Sequence, residues 1–560
     1  MRKFLVIAVF ALVTVAMLAP PVLAQAPAPK VTITGLFDQT TSASSNVQDA
    51  SFGHTSDKEW YATTRFRPDF TFEVGRTKAV MGLEIDLTYG QTSPCSGGPG
   101  KVTRSASCQP LSASTVSIYP SQHAGDTANA GLNTDVTGVI EMKWMYTEFD
   151  LTGKDSLLPF IPVPTVSRAG LQPFADLANY KVTYANGDFP GLSTVTTFAP
   201  NLKVKLAYVM VEDEIAGSDR TDQITTAGGP LIKTSRGNDF AFIISPEYTV
   251  YKGLDIKPLY SLFYAEGATT STARRCASDV HISGGTTCGG AAFGNDSNIN
   301  GSPAFHENRH TLGVDASWRL GPWGLDPTIY FQTGTRDVLA QDIDGKVKRI
   351  ETKMNAWLLD AIGSYQMGPL LLEVRGVYST GNKAKDNLSK RISYFEPLDL
   401  DTSYYNTWTS ILGLGVDYKS GCSLGTIGMC TNVGYDRYGR AQLGFRATYA
   451  VTPAFSVWGA VNPTWTAEKV DTDTAIVASS ASTTSRGHIT GDMQGDDRYI
   501  GTESSIGLIW KFAPNVDLQW SGAWLSAGKA LDATEVLNNV PVKRKADDAL
   551  LTSARVRFAF

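Results

Sequence analysis

Two adjacent stretches set the pattern of the chain. Ala62, Thr64, Phe66, Pro68, Phe70, Phe72 and Val74 alternate with Thr63, Arg65, Arg67, Asp69, Thr71 and Glu73. After a tight turn at Gly75 to Thr77, Ala79, Met81, Leu83, Ile85, Leu87 and Tyr89 alternate with Val80, Gly82, Glu84, Asp86 and Thr88. A period of two puts successive side chains on opposite faces of a strand, so each stretch has one apolar and one polar face. Their length matches the roughly 9–11 residues that a tilted strand needs to cross a hydrocarbon layer. The pair predicts one hairpin of a membrane barrel wall, with its apolar face to lipid and its polar face inward.

The unit recurs. Phe240 to Val250 joins Ile256 to Tyr264 around Lys252-Gly253, and Leu312 to Leu320 joins Leu325 to Thr333 through Gly321-Pro322-Trp323. Trp357 to Met367 joins Leu370 to Tyr378 through Gly368-Pro369, and Ala441 to Val451 joins Phe455 to Trp465 through Thr452-Pro453-Ala454. Ile506 to Phe512 joins Val516 to Trp524 through Ala513-Pro514-Asn515. Pro, Gly and Asn suit tight turns, whereas longer polar stretches separate one hairpin from the next. A first strand is expected at Val31 to Phe37, and weaker ones at Ile140 to Tyr146, Val166 to Phe174, Leu192 to Phe198 and Leu202 to Met210. With a final strand from Leu550 the count is about 18, and roughly 16 or 20 are the alternatives. The fold class predicted is all-β: a transmembrane antiparallel up-and-down barrel, with short periplasmic turns and long extracellular loops. Trp408 to Tyr418 also alternates, but as a wall strand it would put Thr452-Pro453-Ala454 outside. It is assigned to a long folded loop, Gly381 to Gly439, the candidate constriction loop, which also holds Tyr394 to Leu400.

Composition supports this pattern. A chain of 560 residues with 18% charged and 10% aromatic residues, 52 Gly and mean hydropathy of -0.11 is poor in charge for soluble domains. Past residue 24 it lacks the uncharged stretches of about 20 residues that membrane helices require. At the start, Arg2 and Lys3 precede an apolar run from Phe4 to Leu18. Pro20, Pro21 and Val22-Leu23-Ala24 follow, predicting a signal peptide over 1–24, cleaved before Gln25. Residues 25–560 then form a single barrel domain. Losing Arg2 and Lys3 takes the formal charge from -5 to -7, a dispersed acidity that suggests no nucleic-acid partner.

The inward parity carries Arg65, Arg67, Asp69, Glu73, Glu84, Asp86, Glu141, Lys143, Arg168, Lys203, Lys205, Asp315, Arg319, Glu373, Arg375, Arg440, Arg446, Glu503, Arg555 and Arg557. Charges at membrane depth must meet water or partners, so these predict a wet lumen and are the pore-lining candidates. Some are expected to form an ion-pair lattice that stiffens the wall, like that of Arg67 with Asp69. Trp60, Tyr89, Trp318, Trp323, Trp357, Tyr449, Trp465, Trp510, Phe512, Trp524 and Phe560 are expected as interfacial anchors, as are Trp144 and Tyr146.

Six cysteines fall as Cys95 and Cys108, Cys276 and Cys288, and Cys422 and Cys430, each pair in a Gly/Ser/Thr-rich stretch. In an exported chain local disulfides are the simplest reading, although six cysteines allow fifteen pairings. There is no Cys-x-x-Cys, no Gly-x-Ser-x-Gly and no His-Glu-x-x-His, and the six His are scattered. No catalytic residue, metal or cofactor is therefore predicted, and the chain is not read as an enzyme.

Leu550, Thr552, Ala554, Val556, Phe558 and Phe560 alternate with Leu551, Ser553, Arg555, Arg557 and Ala559. This strand, with its closing aromatic, resembles the last strand of the bacterial outer-membrane β-barrel family, porins included. The resemblance implies an outer-membrane location, outer-membrane lipid as surroundings, and reading of Phe558 and Phe560 by the barrel-assembly machinery. Many porins of roughly 16–18 strands are homotrimers, which the resemblance carries over as one option. The function expected is passive diffusion of small hydrophilic solutes or ions. A surface-lattice barrel and a sheath around an electron-transfer partner are the alternatives.

Overall fold

The computed structural model describes residues 28–46, 58–91, 140–173, 184–185, 188–212, 221–224, 232–235, 239–266, 306–341, 347–383, 391–398, 408–413, 438–470, 495–537 and 540–560. The wall strands are β1 (Lys30–Ser45), β2 (Lys58–Val74), β3 (Thr77–Gln91), β4 (Ile140–Thr152), β5 (Thr165–Pro173) and β6 (Asp188–Ala199). They continue as β7 (Leu202–Glu212), β8 (Asp239–Tyr251), β9 (Leu254–Glu266), β10 (His306–Leu320), β11 (Trp323–Gln341) and β12 (Val347–Met367). The circuit ends with β13 (Leu370–Ser379), β14 (Arg440–Thr452), β15 (Phe455–Val470), β16 (Asp497–Ala513), β17 (Val516–Ala527) and β18 (Ala549–Ala559). Each is antiparallel to the next, and β18 pairs with β1 from Leu36↔Ala559 to Ser45↔Leu550, closing an 18-stranded barrel. One further two-residue strand, Arg391–Ile392, runs parallel to β12.

All 18 expected strands are present, most of them longer than predicted. The additional residues lie mainly toward the long-loop end: β12 begins at Val347, not Trp357, and its outward positions Glu351 and Lys353 are exposed and charged. Beyond the hydrocarbon the outward face need not be apolar, so the alternation fades while the hydrogen-bonded ladder with β11 continues to Gln341↔Val347. Two-residue turns such as 75–76, 368–369 and 514–515 join strands at one end. Gly368 and Asn515, at φ 54° and 59°, supply the left-handed conformation that such hairpins need. The connection 153–164 is the long one on that side. The opposite end carries the long connections, as expected, and the described residues 408–413 of the folded loop form no strand.

Outward positions form an apolar wall: Val314, Leu325, Ile329, Leu359, Val374, Phe445, Val461 and Ile506 are all exposed. A closed ladder leaves no unpaired backbone edge for lipid, which is how a β-protein crosses a bilayer. Trp60, Trp323, Trp357, Tyr449, Trp465, Trp510, Phe512, Trp524 and Phe560 also face outward, as anchors should. The buried apolar core is inside the barrel, where Phe189, Phe263, Tyr330 and Leu358 of the wall meet Tyr184, Phe395 and Leu398 of the loops. The signal segment 1–24 and all six cysteines lie outside the described residues.

Candidate pore lumen

Register carries the inward parity around the whole wall. On β2, Arg65 and Arg67 both reach Glu84 of β3, at 2.8 and 3.0 Å. The partner of Arg67 is thus a cross-strand carboxylate and not Asp69, two residues along its own strand, because neighbouring strands lie closer than i and i+2 side chains. Lys143 pairs with Asp188 at 3.3 Å and Arg168 with Glu148 at 2.8 Å. Lys203 and Lys205 stand opposite Glu247 and Ser245. The backbone of Asp86 stands opposite Arg65.

Asp315 accepts from the Thr328 hydroxyl, and Arg375 holds Asp360 through two bonds of 2.9 and 2.6 Å. Arg446 lies 3.9 Å from Glu373, Arg555 donates to Gln519, and Arg557 grips Asp38 at 2.7 and 2.6 Å. Arg440 is inward and buried. Two candidates sit at the short-turn mouth: Glu73 with Lys30 at 3.5 Å, and Arg319 with Asp326 at 2.7 Å. Among the described side chains the candidates other than Lys143 hold the inward parity, whereas Lys143 pairs with Asp188, which shares the outward parity of Leu192. Glu84, Asp315, Arg375, Arg440, Glu503 and Arg555 are buried within ion pairs or under loops and do not border open space.

Loops fill much of one side. Segment 391–398 packs on β10 and β11 by its apolar residues Phe395 and Leu398, and by Glu396. The Glu396 carboxylate meets Arg309, at 3.0 Å, and Arg336, while Glu307 pairs with the same two arginines. All four side chains are 0% exposed. Two cations against two anions leave this cluster neutral, as charges removed from water require. Gln332 extends the dock, donating to the Glu396 carbonyl at 2.6 Å and accepting the Glu396 N–H at 2.9 Å. Beside it Tyr184 donates to Ser261, and its carbonyl takes the Leu398 N–H at 2.8 Å. Burial pushes the Tyr184 hydroxyl pKa up, against the opposing pull of Arg309.

The same long loop docks a second time. The Glu503 carboxylate on β16 accepts the backbone N–H groups of Ser410, Ile411 and Leu412. Ile411 and Leu412 then pack with Leu525, Leu531 and Leu551. Trp408, at φ 67°, lies over Gly444, where an added Cβ would meet its ring at 3.2 Å. Few bulky residues adopt that backbone region, and its neighbours must hold it there; the Asn462 amide donates to its carbonyl.

Trp144 and Tyr146 correct the sequence reading. Register slips on β4 between Gly82↔Trp144 and Leu83↔Met142, leaving Lys143 as an extra residue. The bulge reverses the parity beyond it. Both rings therefore face the lumen, with Arg67 over Trp144 at 5.4 Å and Arg168 over Tyr146 at 5.1 Å. Gly82 makes room, since a Cβ there would lie 2.0 Å from the Trp144 Nε1. Sequence reasoning also missed Asp38, Glu148, Glu307, Arg309, Arg336, Asp360 and Glu396. All but Glu396 lie on wall strands, and carrying the alternation further along each strand would have found most of them.

No protein-family model matches the chain, and no curated protein does. Among solved structures it is similar to Pseudomonas aeruginosa OpdQ, at 10% identity and TM-score 0.43, over 95% of this chain and 98% of that one. It is also similar to Pseudomonas aeruginosa OccK9 (OpdG), at 10% and 0.44 over 94% and 98%. A third similar structure is the outer membrane protein opdK of Pseudomonas aeruginosa, at 10% and 0.40 over 94% and 98%.

Proposed function

We propose that this chain is an outer-membrane porin, a passive channel for small hydrophilic solutes or ions. The observation that carries the reading is the uneven filling of the lumen. The arginine and glutamate side chains under segment 391–398 are sealed, whereas Arg65, Arg67 and Arg168 on β2 and β5 are 20% to 33% exposed on the inward face. A water-filled passage along β1 to β5 accounts for that difference, with the loop 381–439 as the constriction. Ionised residues of both signs line this passage, as in an aqueous channel and unlike an apolar one. On the same reading the protein is not an enzyme, and Phe558 and Phe560 are read by the barrel-assembly machinery. Planar-bilayer recording of the purified protein tests the function: discrete, ohmic conductance steps support it, and a barrel that inserts yet stays silent overturns it. Native mass in detergent distinguishes a homotrimer from a monomer.

A further inference from the structure

A furrow crosses the outward face of β15, β16, β17, β18 and β1. Register aligns Gly459, Ile506, Gly522, Thr552 and Ala43 in one row across these strands. Val461, Ser504, Trp524, Leu550 and Ser45 form the next row. Gly522, Thr552 and Ala43 are small, whereas Ile506, Trp524 and Leu550 stand up around them, bordering an open depression of about 820 Å³. The polar groups at its edge are turned into the wall. Thr552 accepts the Trp520 Nε1–H and donates to the Ser521 carbonyl. The Trp524 indole donates to Asp548 and that of Trp60 to Thr41, so the furrow presents carbon. At its rim Ser45 pairs with Lys58, which opens β2 on the long-loop side. Lys58 is exposed and has no acidic partner among the described residues. Asp548, the carboxylate near it, is engaged by the Trp524 indole and the Ala527 N–H.

A hydrocarbon trough capped by the Lys58 ammonium matches an amphiphile with an anionic head and an apolar tail. We propose that the furrow holds an acyl chain of a phosphorylated lipid of the external leaflet, with its phosphate on Lys58. The long-loop end fixes the leaflet.

Native mass spectrometry of the full barrel, incubated in mild detergent with lipid A or with phosphatidylcholine, tests this. One lipid A is expected to stay bound per chain, with phosphatidylcholine lost. Lys58→Glu is expected to lower lipid A retention about tenfold. Gly522→Leu is expected to lower it similarly by filling the floor, where an added Cβ meets only the Trp520 ring, at 3.5 Å. Val374→Leu, on the far side of the wall, should retain lipid A as the parent does. Equal retention of the two lipids overturns the proposal, as does unchanged lipid A binding by Lys58→Glu, or a dimer in place of a lipid adduct. If Gly522→Leu does not fold, the Lys58→Glu and Lys58→Gln pair, which alter one exposed side chain, decides the matter.

Discussion

Glu396→Gln is the sharpest test of how the long loop is held. Glu396 neutralises half of the positive charge of Arg309 and Arg336, and all four members of that cluster are fully buried. The substitution keeps the shape of the side chain and removes the charge, leaving two cations against Glu307 alone. Removing one partner of a buried pair typically costs about 3–5 kcal/mol. The loop can escape by leaving its dock, so the cost falls on docking and not on the barrel. At the lower figure, about 3 kcal/mol, the ratio of docked to undocked loop falls roughly a hundredfold. The contacts of Gln332 with the Glu396 backbone and the burial of Phe395 and Leu398 remain, so the docked state should persist but open often. Single-channel recording should then show transitions from the parental level to a larger conductance. The double variant Glu396→Gln with Arg336→Met restores neutrality and should be quieter than the single variant. Conductance and noise identical to the parent in Glu396→Gln would refute the argument, since the pairing would then hold nothing in place.

Glu503→Ala removes the acceptor of three backbone N–H groups, each charge-assisted bond being worth about 1.5–3 kcal/mol; a cysteine placed at Ser410 should react faster with a lumen-side thiol reagent in that background. Val374→Arg puts a cation on the lipid face and should destabilise the barrel by about 2–4 kcal/mol if the site is near the bilayer midplane, read from urea unfolding in liposomes. Trp144→Ala removes a lumen ring lying under Arg67 and should change conductance while leaving heat-modifiable gel migration unaltered, the reverse of what loss of an interfacial anchor would do.

The wall was legible in the sequence because lipid outside and water inside write a period of two into every strand. All 18 strands were placed that way, including the choice to leave Trp408 to Tyr418 out of the wall. The pattern failed where one of its two solvents was missing. At the external end of β12 the outward face meets water at Glu351 and Lys353 while the inward face is covered by segment 391–394, so Val347 to Ala356 read as loop. At Lys143 one inserted residue reversed the parity, and nothing in the residue types from Glu141 to Tyr146 announces a bulge. The inward loop was anticipated from its length and from Tyr394 to Leu400, but its fastening was not. Glu396 finds Arg336 sixty residues away across the lumen, and no local periodicity encodes such a pairing.

The joint between β18 and β1 has a consequence for how the wall comes to exist. Phe560 and Gly35 exchange hydrogen bonds of 3.0 and 2.9 Å, and Arg557 grips an aspartate 519 residues away along the chain. No partial wall is tolerable in hydrocarbon, because until these two strands meet each presents a row of bare N–H and C=O groups. Contacts so distant in sequence are slow to form. Closure therefore has to wait until both ends of the chain have been made. The wall is complete only when the strand around residue 550 meets the first, so a chain cut short of its last strand would keep an open edge on β1.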